Sequence, residues 1–506
     1  MVARALSILL LGVLLSASSW HRETPKTPQS PYLVLIVMDG FRPDYQTLAP
    51  MRHLRALMAQ GMTYSNAWVG QMESETPTGH ATIATGVYPR KHGVVGFGWR
   101  STATGNFTFM PTDLRQISAG LLSRQIQAGG PTISDQIHAR NPHDLIASMS
   151  DEKYYASASM GAGADYVLYG KYSKTGEHPV VIGPNIPPAA AYKHVSARDA
   201  TPALQDQFSA SLAIQIARTI RPRALLVNLP GADIAGHEFG GIRAPNDMAA
   251  IIRGDDYAIG RIVSAYKHLG LYKHTLFVVT ADHGMASNGH IVPIHRMYAT
   301  VAKTDPTSLD QEYRITLGSI WLRTPQHAAA VAGAMVAQHF PFIEGAMYRS
   351  PSGTSFALDP NTAAHMSRNL QQAYLDLANT EAGPTGPDVL LPYAEDTTGL
   401  VVKGSKKWGT HGGFSWGVQH IPLLLAGPGV RHGVSGFPAK LVDVAPTIER
   451  LMGLTIPSQV DGVVLNDALT QRTAREQAAQ SDVQARRMAD AQALRAHSLA
   501  QLKSRR

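Results

Sequence analysis

Tyr32–Asp39 reads YLVLIVMD, an apolar run of strand length that ends in an acid. The run does not alternate with polar residues, which indicates a strand buried on both faces, as in a parallel sheet. Two similar runs, Ala224–Leu229 and Leu276–Thr280, follow the segments Leu204–Ile220 and Met248–Tyr266, whose apolar residues recur at helical spacing. Alternating strands and helices of this length predict an α/β fold, a doubly wound, mostly parallel sheet sandwiched by helices.

Metal-ligating side chains accompany these runs. They are Asp39 after the first run, Asp233 with His237 after the second, Asp282 with His283 after the third, and His411 ahead of the run Ile421–Leu425. A lone Asp after a strand is more often a turn or a helix cap, but four occurrences at one sheet edge indicate an active site. Carboxylates and imidazoles favour two divalent ions, most readily Zn²⁺, and leave Mn or Fe open at one position.

Thr76 offers a hydroxyl among these ligands in the sequence. Because Pro77 suits the first position of a helix, Thr76 is expected to be the N-cap, near free backbone N–H groups and the positive end of the helix dipole. A metal-bound alkoxide there would be a nucleophile. Thr78 is a competing nucleophile, and a purely structural cap remains the plainer alternative.

Composition limits the possible classes of protein. The 506 residues are 44% apolar and 16% charged, which is ordinary for a soluble globular protein, and the net charge is +8. The chain has no cysteine, which excludes disulfides, cysteine hydrolases and lipid attachment at cysteine.

The chain divides by composition. Residues 1–19 are typical of an export signal, with an uncleaved anchor as the alternative, and residues 20–30 of a linker. A catalytic domain is expected over 31–470, with irregular insertions at about 97–201 and 288–404 that form a cap. Residues 471–506 predict a basic tail, either a solvated helix or a frayed segment. Nucleic-acid binding ranks well below that, because aromatic residues for base stacking are missing from the tail.

Five motifs occur in a specific order. They are MDGFR at Met38–Arg42, TPTGH at Thr76–His80, DIAGH at Asp233–His237, TADHGM at Thr280–Met285 and THGG at Thr410–Gly413. The set resembles the alkaline phosphatase superfamily, most closely its type I phosphodiesterase and nucleotide pyrophosphatase branch. The similarity runs from about residue 32 to about 465.

The resemblance implies a role for each ligand. Asp39, Asp282 and His283 would hold one zinc ion, with Thr76 as its fourth ligand. Asp233, His237 and His411 would hold the other. Thr76 would attack phosphorus and form a phosphothreonine, which water would then hydrolyse. His80 and His92 have no metal partners at the family's spacing and are expected to be structural.

Two departures from the family bear on substrate binding. The family usually carries an asparagine amide that donates to a phosphoryl oxygen, and here that position is Phe97; Arg100 is the expected substitute. The Lys-x-Arg pair of related monoesterases aligns loosely with Ser150 and Glu152, beside Lys153. A negative Glu152 would repel a dianionic monoester and so favours a diester.

The sequence therefore predicts a secreted or periplasmic, metal-dependent hydrolase of phosphoric esters. A phosphodiesterase or nucleotide pyrophosphatase ranks first, an alkaline phosphomonoesterase second, and a catalytically weak metal-binding protein last. The expected partner is a small phosphorylated substrate, with no specific nucleic-acid binding and no stable membrane insertion after signal cleavage.

Overall fold

The structure, a computed structural model, describes residues 30–102, 104–109, 114–118, 120–173, 176–196, 201–308, 318–398 and 408–504. The predicted signal at 1–19 and the predicted linker up to residue 29 lie outside these residues. Residues Pro31–Arg506 cluster as one compact unit. Among the described residues, none of the helices combines the length and apolarity that a membrane crossing requires.

The strands of the described residues fall into one large sheet and several small ones. In chain order they are β1 (Tyr32–Met38), β2 (Gly61–Tyr64), β3 (Gly98–Arg100), β4 (Phe107–Phe109), β5 (Ile146–Asp151), β6 (Tyr166–Ser173), β7 (Gly176–Val181), β8 (Ala224–Leu229), β9 (Thr275–Thr280), β10 (Ala286–Ser287), β11 (His290–Ile291), β12 (Ser319–Ile320), β13 (Met347–Arg349), β14 (Phe356–Leu358), β15 (Val389–Leu390), β16 (Thr397–Thr398), β17 (Gly409–Thr410), β18 (Leu423–Ala426) and β19 (Gly433–Ser435).

The large sheet has nine strands in the order β19-β2-β18-β9-β1-β8-β5-β6-β7. Its centre is parallel: β1 pairs with β8 on one side and with β9 on the other, and β5 continues beyond β8. Antiparallel pairings join β18 to β9 and β7 to β6. The central strands are buried along nearly their whole length, as their unbroken apolar runs predict.

The helices flank this sheet and fill the insertions. In chain order they are α1 (Arg52–Met58), α2 (Thr76–Thr85), α3 (Pro89–His92), α4 (Leu114–Ser118), α5 (Leu121–Gly129), α6 (Ile133–Arg140), α7 (Tyr154–Met160), α8 (Pro202–Thr219), α9 (Gly231–Phe239), α10 (Pro245–His268), α11 (Ile294–Thr304), α12 (Ala328–Ala337), α13 (Pro360–His365), α14 (Arg368–Ala378), α15 (Trp416–Gln419), α16 (Val444–Met452) and α17 (Ala474–Ser504). The two predicted helices Leu204–Ile220 and Met248–Tyr266 correspond to α8, which precedes β8, and to α10, which precedes β9. The doubly wound fold class is confirmed.

The two expected insertions differ in outcome. The segment expected to be a cap at about 97–201 contributes β5, β6 and β7 to the large sheet, so that expectation was wrong for residues 146–181. Their burial is not visible as one apolar run, because Ser148, Ser150 and Gly170 interrupt the pattern. The segment at about 288–404 instead forms a separate four-stranded sheet, β12-β15-β13-β14, with its own apolar cluster.

The C-terminal tail is helical, as one of the two predicted alternatives has it, but it is not solvated throughout. Residues Ala474–Ser504 form the single helix α17, and Arg487 and Leu494 on it are buried. Arg487 donates to both oxygens of Asp443 at 2.5 and 3.1 Å. A buried ion pair and a buried leucine therefore anchor the helix to the folded unit.

Candidate metal centre and active site

Three carboxylates meet at the carboxyl edge of the central strands. Asp39 follows β1, Asp282 follows β9, and Asp233 lies in the first turn of α9 after β8. Because β1 pairs in parallel with both neighbours, the ends of the three strands lie side by side. All three side chains are buried, with at most 2% exposure.

Three histidines surround these carboxylates. His237 lies one helical turn after Asp233, and its Nε2 is 3.5 Å from Asp233 Oδ1. His283 Nε2 lies 3.3 Å from Asp282 Oδ2 and 3.5 Å from Asp39 Oδ1. His411 follows β17, whose pairing with β10 stacks its ring on that of His283 at 3.7 Å between centroids. His411 Nε2 is then 3.4 Å from Asp233 Oδ1.

Backbone carbonyls orient all three imidazoles. Nδ1 of His237 lies 2.8 Å from Gly409 O, that of His283 lies 2.8 Å from Gly284 O, and that of His411 lies 3.2 Å from Ser74 O. A carbonyl only accepts, so each Nδ1 carries the proton and each Nε2 presents a lone pair to the centre. This is the orientation that metal-ligating histidines take.

The donor set fits cations. Asp233 Oδ1 and Asp282 Oδ2 are buried and have no hydrogen-bond partner within the described part of the chain, although three imidazole Nε2 atoms lie nearby. Carboxylate oxygens that face nitrogen lone pairs need a positive charge between them. Donor atoms of Asp233, His283 and His411 all lie within 4.8 Å of one another. His283 is close to both carboxylate groups, so it borders the two ligand sets that the resemblance implies.

His80 lies beside these ligands and supports them. Its Nδ1 is 2.8 Å from Thr76 O and 3.4 Å from Asp282 Oδ2, and its Nε2 is 3.0 Å from Asn228 Oδ1. Both ring nitrogens are thereby occupied by oxygen acceptors. Burial works against the charged ring, yet the neighbouring Asp282 and Asp39 raise the pKa of His80. His92 hydrogen-bonds Thr82 instead, and burial lowers its pKa to about 3.

Thr76 opens α2 with its hydroxyl on this cluster. Thr76 Oγ1 lies 3.1 Å from His283 Nε2 and 3.4 Å from Asp39 Oδ1. The N-cap is Glu75, so Thr76 is the first helical residue rather than the cap that the sequence predicts. Gly79 permits the approach, since a Cβ there would lie 2.6 Å from the carbonyl oxygen of Asp282. The competing Thr78 is buried, and its hydroxyl has no hydrogen-bond partner among the described residues.

Lys153 and Asn228 belong to the centre, although sequence reasoning gave neither of them a firm role. Lys153 Nζ bridges Asp39 Oδ1 at 2.9 Å and Asp233 Oδ2 at 2.5 Å. Asn228 Nδ2 donates to Asp39 Oδ2 at 3.1 Å. Burial raises the pKa of Asp39 to about 6, whereas Lys153 and His237 overcome burial and hold the pKa of Asp233 well below its usual value. Asn228 had a visible signal, because it is the one amide within the apolar run Ala224–Leu229.

The position of Glu152 does not support the expected preference for diesters. Glu152 is exposed and has a φ of 48°, which turns its side chain outward, whereas the next residue reaches the centre. The repulsion expected between Glu152 and a dianionic monoester therefore has no geometric support.

Phe97 lies beside the active centre, whereas Arg100 is bound to the insertion. The N–H of Phe97 donates to Glu75 Oε2 at 2.7 Å, and its ring packs edge-on against Tyr155 at 4.9 Å, next to the active centre. Arg100 instead donates to Leu322 O at 2.8 Å and to Asp388 at 2.5 Å. The guanidinium is thus committed to the insertion and does not replace the missing amide.

Comparisons with known proteins identify the family of the chain. The model of the family described as type I phosphodiesterase / nucleotide pyrophosphatase matches residues 33–372. A bis(5'-adenosyl)-triphosphatase of Xenopus laevis is 21% identical over 57% of this chain and 55% of its own length, so the chain spans about half of that relative. The alkaline phosphatase PafA of Elizabethkingia meningoseptica is 21% identical over 91% of this chain and 98% of its own length.

Solved structures show the same fold. A crystal structure of alkaline phosphatase PafA superposes with a TM-score of 0.65 at 16% identity, covering 88% of this chain and 99% of that chain. A murine ectonucleotide pyrophosphatase / phosphodiesterase 5 in complex with AMP gives a TM-score of 0.56 at 16% identity, with 84% and 96% coverage. At these identities the likeness establishes the alkaline-phosphatase-like fold.

Proposed function

We propose that this protein, which belongs to the type I phosphodiesterase / nucleotide pyrophosphatase family, forms a phosphothreonine on Thr76 during catalysis. Membership of that family makes the protein a phosphoric ester hydrolase. One observation carries the proposal. The Thr76 hydroxyl lies at the N-terminus of α2, 3.1 Å from His283 Nε2, whose lone pair points into the centre, and 3.4 Å from the buried Asp39 Oδ1. A hydroxyl in that position is set to become an alkoxide.

Two groups of residues would hold the ions, most readily Zn²⁺. Asp39, Asp282 and His283 would form one set together with Thr76, and Asp233, His237 and His411 would form the other. When bound, the ions lower the pKa of the nucleophile and stabilise the leaving oxygen.

The protein's own groups prepare the displacement. Thr76 Oγ1 loses its proton and forms a bond to phosphorus as the ester P–O bond opposite breaks, and the ester oxygen leaves as the alcohol. Water then breaks the bond between phosphorus and Thr76 Oγ1, which restores the hydroxyl and releases phosphate from a monoester or a phosphomonoester from a diester. His80 and Asn228 hold Asp282 and Asp39 in place for this step. The free N–H groups at the start of α2 add a positive potential where phosphoryl charge collects.

Nucleotide diesters and pyrophosphates are the first substrate class, supported by the family. Two of the three relatives named above are a dinucleoside triphosphatase and an ectonucleotide pyrophosphatase in complex with AMP. We further propose export, on the basis of the apolar N-terminal segment, with action in the periplasm or outside the cell.

Phosphomonoesters are the second candidate class, and Lys153 is the observation that favours them. A monoester carries one more negative charge at its phosphoryl group than a diester does. The buried ammonium between Asp39 and Asp233 adds one positive charge beside that group. The similarity to alkaline phosphatase PafA over nearly its whole length points in the same direction.

A parallel assay tests the proposed function. The purified protein with zinc would be given a nitrophenyl phosphate monoester and the corresponding diester, beside Thr76→Ala and Thr76→Ser variants. We expect hydrolysis by the wild type and by Thr76→Ser, with none above background from Thr76→Ala. Equal rates in Thr76→Ala and the wild type would exclude the threonine, and no hydrolysis of either ester would support a metal-binding protein instead.

A further inference from the structure

We infer that the C-terminal helix α17 and Glu395 of the insertion are positioning elements of the metal centre, because together they fix the short helix α15 that connects the His411 loop to the His283 loop. The inference rests on the proposed ligand sets and extends them to residues far from the ions. The two elements contribute Ser498, Gln501 and Glu395 to this arrangement.

The first turn of α15 is capped from outside. The N–H groups at the start of a helix have no partner within it. Here the N–H of Trp416 donates to Ser498 Oγ at 2.8 Å, and the N–H of Gly417 donates to Glu395 Oε2 at 3.3 Å. Two separate parts of the chain thus hold one four-residue helix.

The same helix holds the neighbourhood of His283. The N–H of Gly284 donates to Val418 O at 2.7 Å, and the N–H of Met285 donates to Gly417 O at 3.1 Å. His411 lies five residues before Trp416, so α15 joins two of the three histidines through its backbone. A shift of α15 would change both imidazoles together.

The path also reaches the loop of Asp39. Arg42, three residues after Asp39, donates to Met285 O at 2.6 Å. Its guanidinium and the Glu395 carboxylate both border Gly417, since a Cβ at that glycine would lie 3.0 Å from Arg42 Nη1 and 2.4 Å from Glu395 Oε1. Arg42 forms its ion pair with Asp44 and so stays fixed beside Gly417. Glu395 is only 3% exposed, so its contacts to this segment are made in a water-poor environment.

Helix α17 is itself firmly anchored, so it can hold α15 and Glu395 in position. Gln501 Oε1 accepts from the N–H of Glu395 at 2.6 Å, and the Ser498 hydroxyl also hydrogen-bonds the Glu395 carboxylate. Leu494 packs in one apolar cluster with Met72, ahead of Thr76, and with Phe414, after His411. The helix therefore covers the outer side of both segments that carry the reacting hydroxyl and the last histidine ligand.

The experiment compares zinc affinity in three variants of the full-length protein. Ser498→Ala removes the hydroxyl, Ser498→Thr keeps it, and Ser481→Ala changes an exposed serine on the same helix. Zinc affinity is measured by competition with a chromophoric chelator, and folding by thermal unfolding. We expect Ser498→Ala to bind the weaker of two zinc ions about tenfold less tightly, the low end for partners of metal ligands, with wild-type affinity in the other two.

Equal affinity of Ser498→Ala and wild type would overturn the inference, as would an equal loss in Ser481→Ala. If Ser498→Ala does not fold, Glu395→Met carries the test, since it keeps the length of the side chain and removes the acceptor of the Gly417 N–H. Unchanged zinc affinity in a folded Glu395→Met would then contradict the inference. A wild-type protein that binds no zinc would instead contradict the proposed function, so the two failures are distinguishable.

Discussion

The proposed ligands at the strand ends, Asp39 and Asp282, and the proposed ligand His411 are held in different ways. Asp39 comes directly after β1 and Asp282 lies two residues after β9, and the two strands pair with each other, so the backbone ladder sets where both side chains begin. Asn228 and His80, close by at the same sheet edge, then contact the two carboxylates. His411 follows the two-residue strand β17 and depends on Ser74 O, on β10 and on the α15 contacts. A ligand at the end of a buried strand is set by local sequence, whereas a ligand on a loop is set by distant packing partners.

The largest effect should follow from a change at a strand end. Asp282→Asn is expected to remove one of the two ions and to lower kcat/KM by roughly 1,000-fold or more, because a catalytic ion stabilises the transition state by several kcal/mol. Elemental analysis and ester hydrolysis would measure both quantities. The control is His237→Ala, whose partly exposed imidazole at 17% lets water replace it, so we expect a smaller loss. A larger loss in His237→Ala than in Asp282→Asn would contradict the comparison.

The anchor of α17 should matter next, through stability. Arg487→Ala leaves Asp443 buried without its partner and is expected to cost about 3–5 kcal/mol of unfolding free energy. The adjacent Arg486 pairs with Asp376 at the surface, where Arg486 is 63% exposed, so Arg486→Ala should cost no more than about 1 kcal/mol. Denaturant unfolding monitored by circular dichroism would measure both. Similar losses in the two variants would show that α17 is not anchored by its buried pair.

Lys153 gives a selective effect on substrate. Lys153→Met removes the ammonium, and loss of a hydrogen bond to a charged group, about 1.5–3 kcal/mol, lowers monoester kcat/KM by roughly 10- to 100-fold. A diester carries less charge and should lose less. Steady-state kinetics on both nitrophenyl esters, with Lys171→Met as an exposed lysine control, would measure the ratio. An equal loss of kcat/KM on the two esters would show that Lys153 does not favour monoesters.

A pH effect is expected away from the centre. Glu449 on α16 is buried, and its carboxylate has no partner among the described residues; burial raises its pKa to about 8. Between the unfolded value of about 4.3 and this value, the folded chain keeps a proton that the unfolded chain releases, so stability falls as pH rises. Glu449→Gln should therefore unfold at a higher temperature than wild type near pH 8 and at a similar one near pH 4. A variant less stable than wild type near pH 8 would contradict this.

The sequence predicted the fold and the family because their signals are local. Ala224–Leu229 is a strand with the predicted bounds, and the five motifs identify the family that the match over 33–372 confirms. The contacts of Arg100 and the burial of α17 were not predicted because their partners, Asp388 and Asp443, are distant in the chain and no sequence pattern points to them. The sequence could not show whether Glu152 or Lys153 reaches the proposed ligands, because the backbone conformation at Glu152 decides which of the two side chains points inward.

The most direct test is to identify the residue that carries phosphate during turnover. The zinc-loaded protein would be mixed with a nitrophenyl phosphate ester, quenched in acid within the first turnovers, and digested for peptide mass spectrometry. We expect phosphate on Thr76 in the wild type and an unmodified peptide in Thr76→Ala. Phosphate on Thr78 or on any other residue, or continued turnover without a phosphorylated peptide, would contradict the central claim.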